Sequence, residues 1–136
     1  MSYSDPSAVA LVERYLQHYE DRDLDGVLSC VSTDFTIEFP GPVLFGSVAH
    51  LMHTAAQMFR SLRKHRDHYA CGTDDQGRTV VTSRGRLYGE CHDGSRIDDV
   101  RYCDVFLVAD GLIVQQFVFN DMAVAAPGSV LGIDPA

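Results

Sequence analysis

A chain of 136 residues, 46% of them hydrophobic, is long enough to bury a core as one domain without disulfide or metal staples. Its formal charge of −8 opposes nucleic-acid backbones and anionic membranes, and no apolar run approaches the roughly 20 residues a membrane span needs. Four scattered cysteines without C-x-x-C spacing, and an N-terminus without a signal-peptide pattern, lead us to expect free thiols in a reducing cytoplasm.

Ser4-Asp5-Pro6 predicts a helix start, and Ala8, Val12, Tyr15 and Tyr19 follow at helical spacing with Leu11 and Leu16 widening the stripe. Asp23 caps a shorter helix with Leu24, Val27, Leu28 and Val31 on one side. Phe35, Ile37 and Phe39 alternate with Thr36 and Glu38, a short strand closed by Pro40-Gly41-Pro42. Gly46-Ser47 opens a third helix, whose buried stripe is expected to run Val48, Leu51, Met52, Ala55, Phe59 and Leu62. The basic stretch Arg60 to Arg66 then falls at the end of that helix, where cations favour the macrodipole. His50 and His53 lie opposite its apolar stripe with no carboxylate or cysteine to complete a shell, so no metal site is expected.

Beyond this the period changes to two. Strands are predicted over His68 to Thr73, Thr79 to Cys91, Arg96 to Val108 and Leu112 to Asn120. Asp75-Gln76-Gly77, Asp93-Gly94 and Asp110-Gly111 supply the turns. Three helices with one strand among them, then a meander, imply an α+β domain in which helices cover an antiparallel sheet around a small-molecule cavity. No repeat or linker interrupts residues 1–122, and the tail 123–136, rich in Ala, Gly and Pro, reads as irregular.

Alternate counting puts Tyr102, Asp104, Phe106 and Val108 on one face of the penultimate strand. It groups Gln115, Phe117, Phe119 and Asp121 on the last. An ionised carboxylate among apolar neighbours is costly unless paired, solvated or protonated, so Asp104 is the first functional candidate. Its bland alternative is a structural aspartate bonded to a tyrosine or an amide. Tyr15 is either a second donor or a core tyrosine. Asp121 is either a base at the cavity mouth or a strand-end turn residue. His68 is either an acid–base group or a surface histidine. Val81, Ser83, Gly85, Leu87 and Gly89 take the cavity side of their strand, leaving Arg84 and Arg86 outside with Tyr88 and Glu90. Ile97, Cys103, Val105 and Leu107 make an outer apolar stripe that a second copy of the sheet is expected to cover as a homodimer.

The segments Ala10-Leu-Val-Glu-Arg-Tyr15, Asp23-Leu-Asp-Gly-Val-Leu28, Asp34-Phe-Thr-Ile-Glu-Phe-Pro40 and Asp104-Val-Phe-Leu-Val-Ala-Asp-Gly111, in this order of elements, carry a resemblance. From Ala8 to about Asp121 the chain resembles the nuclear-transport-factor-2-like superfamily, in particular its SnoaL-like and ketosteroid-isomerase-like members. The resemblance implies a cone-shaped α+β barrel, with three N-terminal helices packed on a strongly curved antiparallel sheet. It also implies that Tyr15 and Asp104 stand where the steroid isomerase holds its tyrosine and protonated acid. The base position of that enzyme is Phe39 here, and the adjacent Glu38 points to the opposite strand face. Where limonene-epoxide-hydrolase-like members carry Arg-x-Asp, this chain has Arg84-Gly85-Arg86. His68 alone matches the pocket histidines of scytalone-dehydratase-like relatives.

Two functions are expected on these grounds. One is a metal- and cofactor-free isomerase, cyclase or dehydratase acting by proton transfer on a compact, apolar, oxygenated ring compound. Asp104, Tyr15, Asp121 and His68 would serve the chemistry, with Phe35, Phe39, Phe59, Tyr102, Phe106, Phe117 and Phe119 as walls. The other is a non-catalytic ligand-binding or dimeric interaction domain, which the apolar Phe39 also suits.

Overall fold

Helix α1 (Pro6–Glu20) begins where the Asp5 carboxylate accepts from the N–H groups of Ser7 and Ala8, with Pro6 in the first turn. The structure is a computed structural model that describes residues 5–125; Ser4 and most of the expected irregular tail lie outside the described residues. Asp23 caps α2 (Leu24–Leu28) by accepting from the Gly26 N–H. Val31, read as the last member of the α2 stripe, instead opens strand β1 (Val31–Phe39), and Leu28 is half exposed. A strand that the sequence pattern does not predict, β2 (Val43–Phe45), turns back at the positive-φ Gly41 and pairs antiparallel with β1. Ser47 caps α3 (Val48–Met58) through the His50 N–H.

The largest departure from expectation is the element after α3. Phe59 and Leu62 were expected on the third helix, but α3 ends at Met58 and β3 (Phe59–Thr73) runs through the whole basic stretch. Its helical pattern is overridden by pairing along its length with β4 (Thr79–Cys91). Leu62, Lys64 and Arg66 therefore point inward while Arg63 and His65 are exposed. The arginines and lysine expected at a helix end become residues of a strand. β5 (Arg96–Ala109), β6 (Leu112–Asn120) and a short α4 (Met122–Ala125) complete the described chain.

The six strands lie in the order β2-β1-β6-β5-β4-β3; β1 and β6 are parallel, every other neighbouring pair antiparallel. This is the expected α+β architecture, a curved sheet with N-terminal helices on one face. Two irregularities in β3, at Phe59/Ser61 and Arg66/His68, bring its backbone tightly against Gly89 and Gly85. A Cβ at Gly85 would lie 1.8 Å from the His65 carbonyl oxygen, so the close approach that bends the sheet requires glycine there.

A further irregularity decides which aromatics face inward. Ile113 pairs with Val108 and is fully buried, but the register shifts before Gln115 pairs with Leu107. The inserted Val114 changes the phase of β6, so Gln116 and Val118 sit opposite Phe106 and Asp104 on the inner face. Phe117 and Phe119, expected as inner walls, therefore lie outside, and Phe119 is 54% exposed. Ile97, expected outside, packs inward with Phe59, Leu87, Val100, Tyr102 and Met122, beyond the positive-φ Asp99 and the β4–β5 register shift.

Candidate functional site

On the inner face of β5, Tyr102 belongs to one apolar cluster and Phe106 to another, with Asp104 between them; on β4, Ser83 falls between Val81 and Leu87 in the same way. A polar group thus crosses the interior between two hydrophobic cores. Asp104 has no exposed surface, and its Oδ2 accepts from Lys64 Nζ at 2.6 Å. Lys64 reaches it diagonally across β4, passing 4.8 Å from the centre of the Tyr102 ring. Beside them, Ser83 Oγ and the Tyr102 hydroxyl are hydrogen-bonded at 2.9 Å, and the Tyr15 hydroxyl donates to Gln116 Oε1 at 2.5 Å.

Burial pushes the Asp104 carboxyl above the usual carboxylate range, with Lys64 and Gln116 pulling the other way. Such a group keeps its proton to higher pH than an ordinary aspartate and is a stronger base when ionised. Tyr15, fully buried, is raised well above the ordinary tyrosine value by desolvation first and then by Tyr19, while Tyr19 and Tyr102 are pushed up to about 12, chiefly by burial. All three phenols remain neutral donors across the physiological range.

The Lys64 neighbour on the same strand face, Arg66, anchors α1. It donates to Gln17 Oε1 at 2.8 Å and pairs with Glu13 and Glu20 at 3.4 and 3.5 Å. The Tyr69 hydroxyl donates to Glu13, and the Lys64 backbone N–H donates to Glu20 at 3.4 Å.

Of the residues singled out by sequence, Asp104, Tyr15, Tyr102, Phe106, Phe35 and Phe59 are buried on the inner side. Tyr15 packs edge-on against both Phe35 and Phe106, at 6.0 and 5.7 Å between ring centres. Phe39 is partly buried and stacks on Phe45. His68 and Asp121 do not join them. His68 is exposed and pairs in register with Arg84, because the extra residue in β3 turns it outward. Asp121 is held by the Arg101 guanidinium at 2.6 Å. Both line a groove of about 480 Å³ on the outer face, with Arg84, Cys103 and Phe119. Among the described residues no cluster of three His, Cys, Asp or Glu side chains is arranged to hold a metal ion.

Sequence reasoning missed Lys64 and Gln116. Lys64 was hidden by the helical reading of its stretch, although Leu62, Lys64 and Arg66 alternate strictly with Arg63 and His65. Gln116 was assigned to the wrong face by the unseen insertion at Val114.

The pattern of a SnoaL-like domain matches residues 12–116. The chain belongs to the SnoaL-like domain family. Comparison of this SnoaL-like chain with curated proteins gives no match. Among solved structures it is similar to a candidate SnoaL-like polyketide cyclase from Jannaschia sp., at 17% identity over 98% of this chain and 100% of that one, with a TM-score of 0.73. A nuclear-transport-factor-2-like protein of unknown function from Burkholderia pseudomallei superposes with a TM-score of 0.72, at 16% identity over 88% and 95% of the two chains. An LEH-like epoxide hydrolase from M. tuberculosis gives 0.70, at 21% identity over 93% of this SnoaL-like chain and 91% of the other. At these identities the likeness is one of fold. No helix of the described residues is long and apolar enough to cross a membrane.

Proposed function

We propose that this SnoaL-like protein binds a compact, mostly apolar, oxygenated ring compound and moves a proton at Asp104, as an isomerase, cyclase or dehydratase. The observation that carries the reading is a carboxyl with no exposed surface, one oxygen on Lys64 and the other, Oδ1, with the Gln116 amide nearby but no hydrogen bond of good geometry. A native fold rarely leaves a buried acceptor unpaired without a use for it. Oδ1 takes the proton from carbon next to a substrate carbonyl, and the same acid returns it at the product position. Phe35, Phe59, Tyr102 and Phe106 supply the apolar surround, and Tyr15 fixes Gln116 beside the acid. Lys64, the member of this group with a 20% exposed side chain, marks the side from which a ligand approaches. Arg84 and Arg86 lie on the far face of β4, so the water-activating pair of epoxide-hydrolase-like relatives has no counterpart on the inner side.

The test is exchange of carbon-bound hydrogen for solvent deuterium in a panel of cyclic ketones and diketones, followed by mass spectrometry. Wild type is expected to accelerate exchange in at least one compound, and Asp104→Asn to lower that rate by about 100-fold or more, the scale of a lost general base. Equal rates for the two proteins would sink the reading.

A second reading, a ligand-binding or interaction domain without turnover, is favoured by one observation: Tyr15, Phe106 and Asp104 all have zero exposure, so the interior is closed around the acid. On that reading the panel shows no exchange with either protein. Self-association through the outer sheet face belongs to both readings, supported by exposed Phe119 beside Phe117, Cys103 and Val105. A reducing, cytoplasmic setting is supported by the four free cysteines.

A further inference from the structure

Three buried polar side-chain atoms among the described residues lack a hydrogen-bond partner: Asp104 Oδ1, Arg66 Nη1 and the Tyr19 hydroxyl. They come from β5, β3 and α1, and Lys64 links the first two. Its Nζ holds Asp104 at 2.6 Å, its backbone N–H donates to Glu20, and Glu20 in turn pairs with Arg66. Tyr19 stands edge-on to Tyr15, 4.8 Å between ring centres. Of the three atoms, Asp104 Oδ1 lies on the carboxyl that Lys64 holds, and marks a place where a ligand's hydroxyl completes the hydrogen bonding.

Charge restricts what that ligand can be. Lys64 and Arg66 are balanced by Asp104 and Glu20, with Glu13 half out in solvent beside Arg66. A ligand entering as an anion would leave one buried negative charge uncompensated. A neutral carbonyl avoids that cost, because the Lys64 ammonium has three donors and can hold Asp104 and a second oxygen together. A neutral ligand with an acidic hydroxyl avoids it as well and can in addition pass a proton to Asp104. Its O–H bond breaks, the proton forms a new O–H bond on Asp104 Oδ1, and its oxygen, now carrying the electron pair, replaces the carboxylate as the partner of Lys64. Total charge in the site is unchanged.

Resting on the proton-transfer reading above, we infer that Lys64 is the oxyanion-binding residue of the site, and that its ligands are phenols or enols held as their anions against Lys64 Nζ with Asp104 protonated. The enolate formed when Oδ1 deprotonates a ketone is the same species reached from the other side. Lys64 is then a catalytic residue, since it touches the oxygen on which charge develops.

The probe is 4-nitrophenol, whose anion has its own visible absorbance, added at a pH where the free compound is mostly neutral. Wild type is expected to raise the anion band in proportion to bound ligand. Lys64→Met should weaken binding at least tenfold and abolish the band, while Lys64→Arg restores part of it. Because Lys64→Met leaves a buried carboxylate unpaired, the Lys64→Met/Asp104→Asn double variant, with native circular dichroism, serves as the folded control; it should bind the phenol only in its neutral form. Binding of the neutral form by wild type, or an anion band undiminished in folded Lys64→Met or in the double variant, overturns the inference, as does no binding at all. The deuterium-exchange assay reports independently. Exchange without anion binding removes the Lys64 role and keeps the proton-transfer reading, whereas anion binding without exchange does the reverse.

Discussion

Asp104 and Lys64 come from strands that do not touch, β5 and β3, and meet across β4 where Ser83 and Gly85 leave little side chain between them. Each explains the other: a fully buried acid at that point needs a cation, and a lysine pointing into the interior needs an anion. The acid could be recognised from its apolar neighbours alone. The cation could not, because its stretch satisfies a helical pattern as well as a strand one. The phenols around the pair carry a pH signature. Tyr15 lies well above the ordinary value of 10.0, and Tyr19 and Tyr102 reach about 12. A group whose pKa is raised on folding stabilises the native state below its unfolded value and loses that contribution as pH climbs through the folded one. Stability should therefore fall as pH rises from 10 toward 12. In a spectrophotometric titration of the six tyrosines, these three should ionise only in step with loss of circular dichroism. Ionisation of all six near 10 in a still-native protein would contradict the burial of these rings.

Among the elements, β3 decides the most. It is an edge strand that wraps the sheet over the C-terminal part of α1, and its two irregularities sit against glycines of β4. Gly85→Ala places a methyl group 1.8 Å from the His65 carbonyl oxygen, which is backbone and cannot swing aside. We expect it to cost about 1–3 kcal/mol, as overpacking does, and to lower the urea midpoint. Gly72→Ala, in β3 itself with nothing within 4 Å of the new carbon, should leave that midpoint nearly unchanged. Matching midpoints for the two variants would mean that β3 does not press against Gly85. Because β3 delivers both Lys64 and Arg66 to the interior, Gly85→Ala should also weaken any ligand bound there.

At the scale of the molecule, the helices cover one sheet face and leave the other to solvent or to a partner. That outer face carries Phe119, Phe117, Cys103 and Val105 beside Arg84 and the Arg101–Asp121 pair, an apolar strip with a charged margin. A second copy of the same face is the occupant we expect. Light scattering at micromolar concentration should give twice the chain mass, and Phe119→Asp should shift it to the monomer while circular dichroism stays native. A monomeric wild type would remove the dimer from the proposal.

What the chain determined by itself was local. Asp5, Asp23 and Ser47 start helices because a side-chain oxygen meets N–H groups two or three residues away. Asp93-Gly94 and Asp110-Gly111 reverse strands because glycine accepts positive φ. Tyr15 and Asp104 turn inward by simple alternation and helical spacing. Only the tertiary structure decided which strand face Phe117, Phe119 and Gln116 occupy, since one inserted residue at Val114 reverses the face and leaves no local trace. Only it decided that 59–66 is strand rather than helix, because the deciding bonds come from β4, beyond a turn in the sequence. The ion pair at the centre of the proposed chemistry exists through that second choice: helical geometry would have carried Lys64 away, and the long hairpin sets it on Asp104.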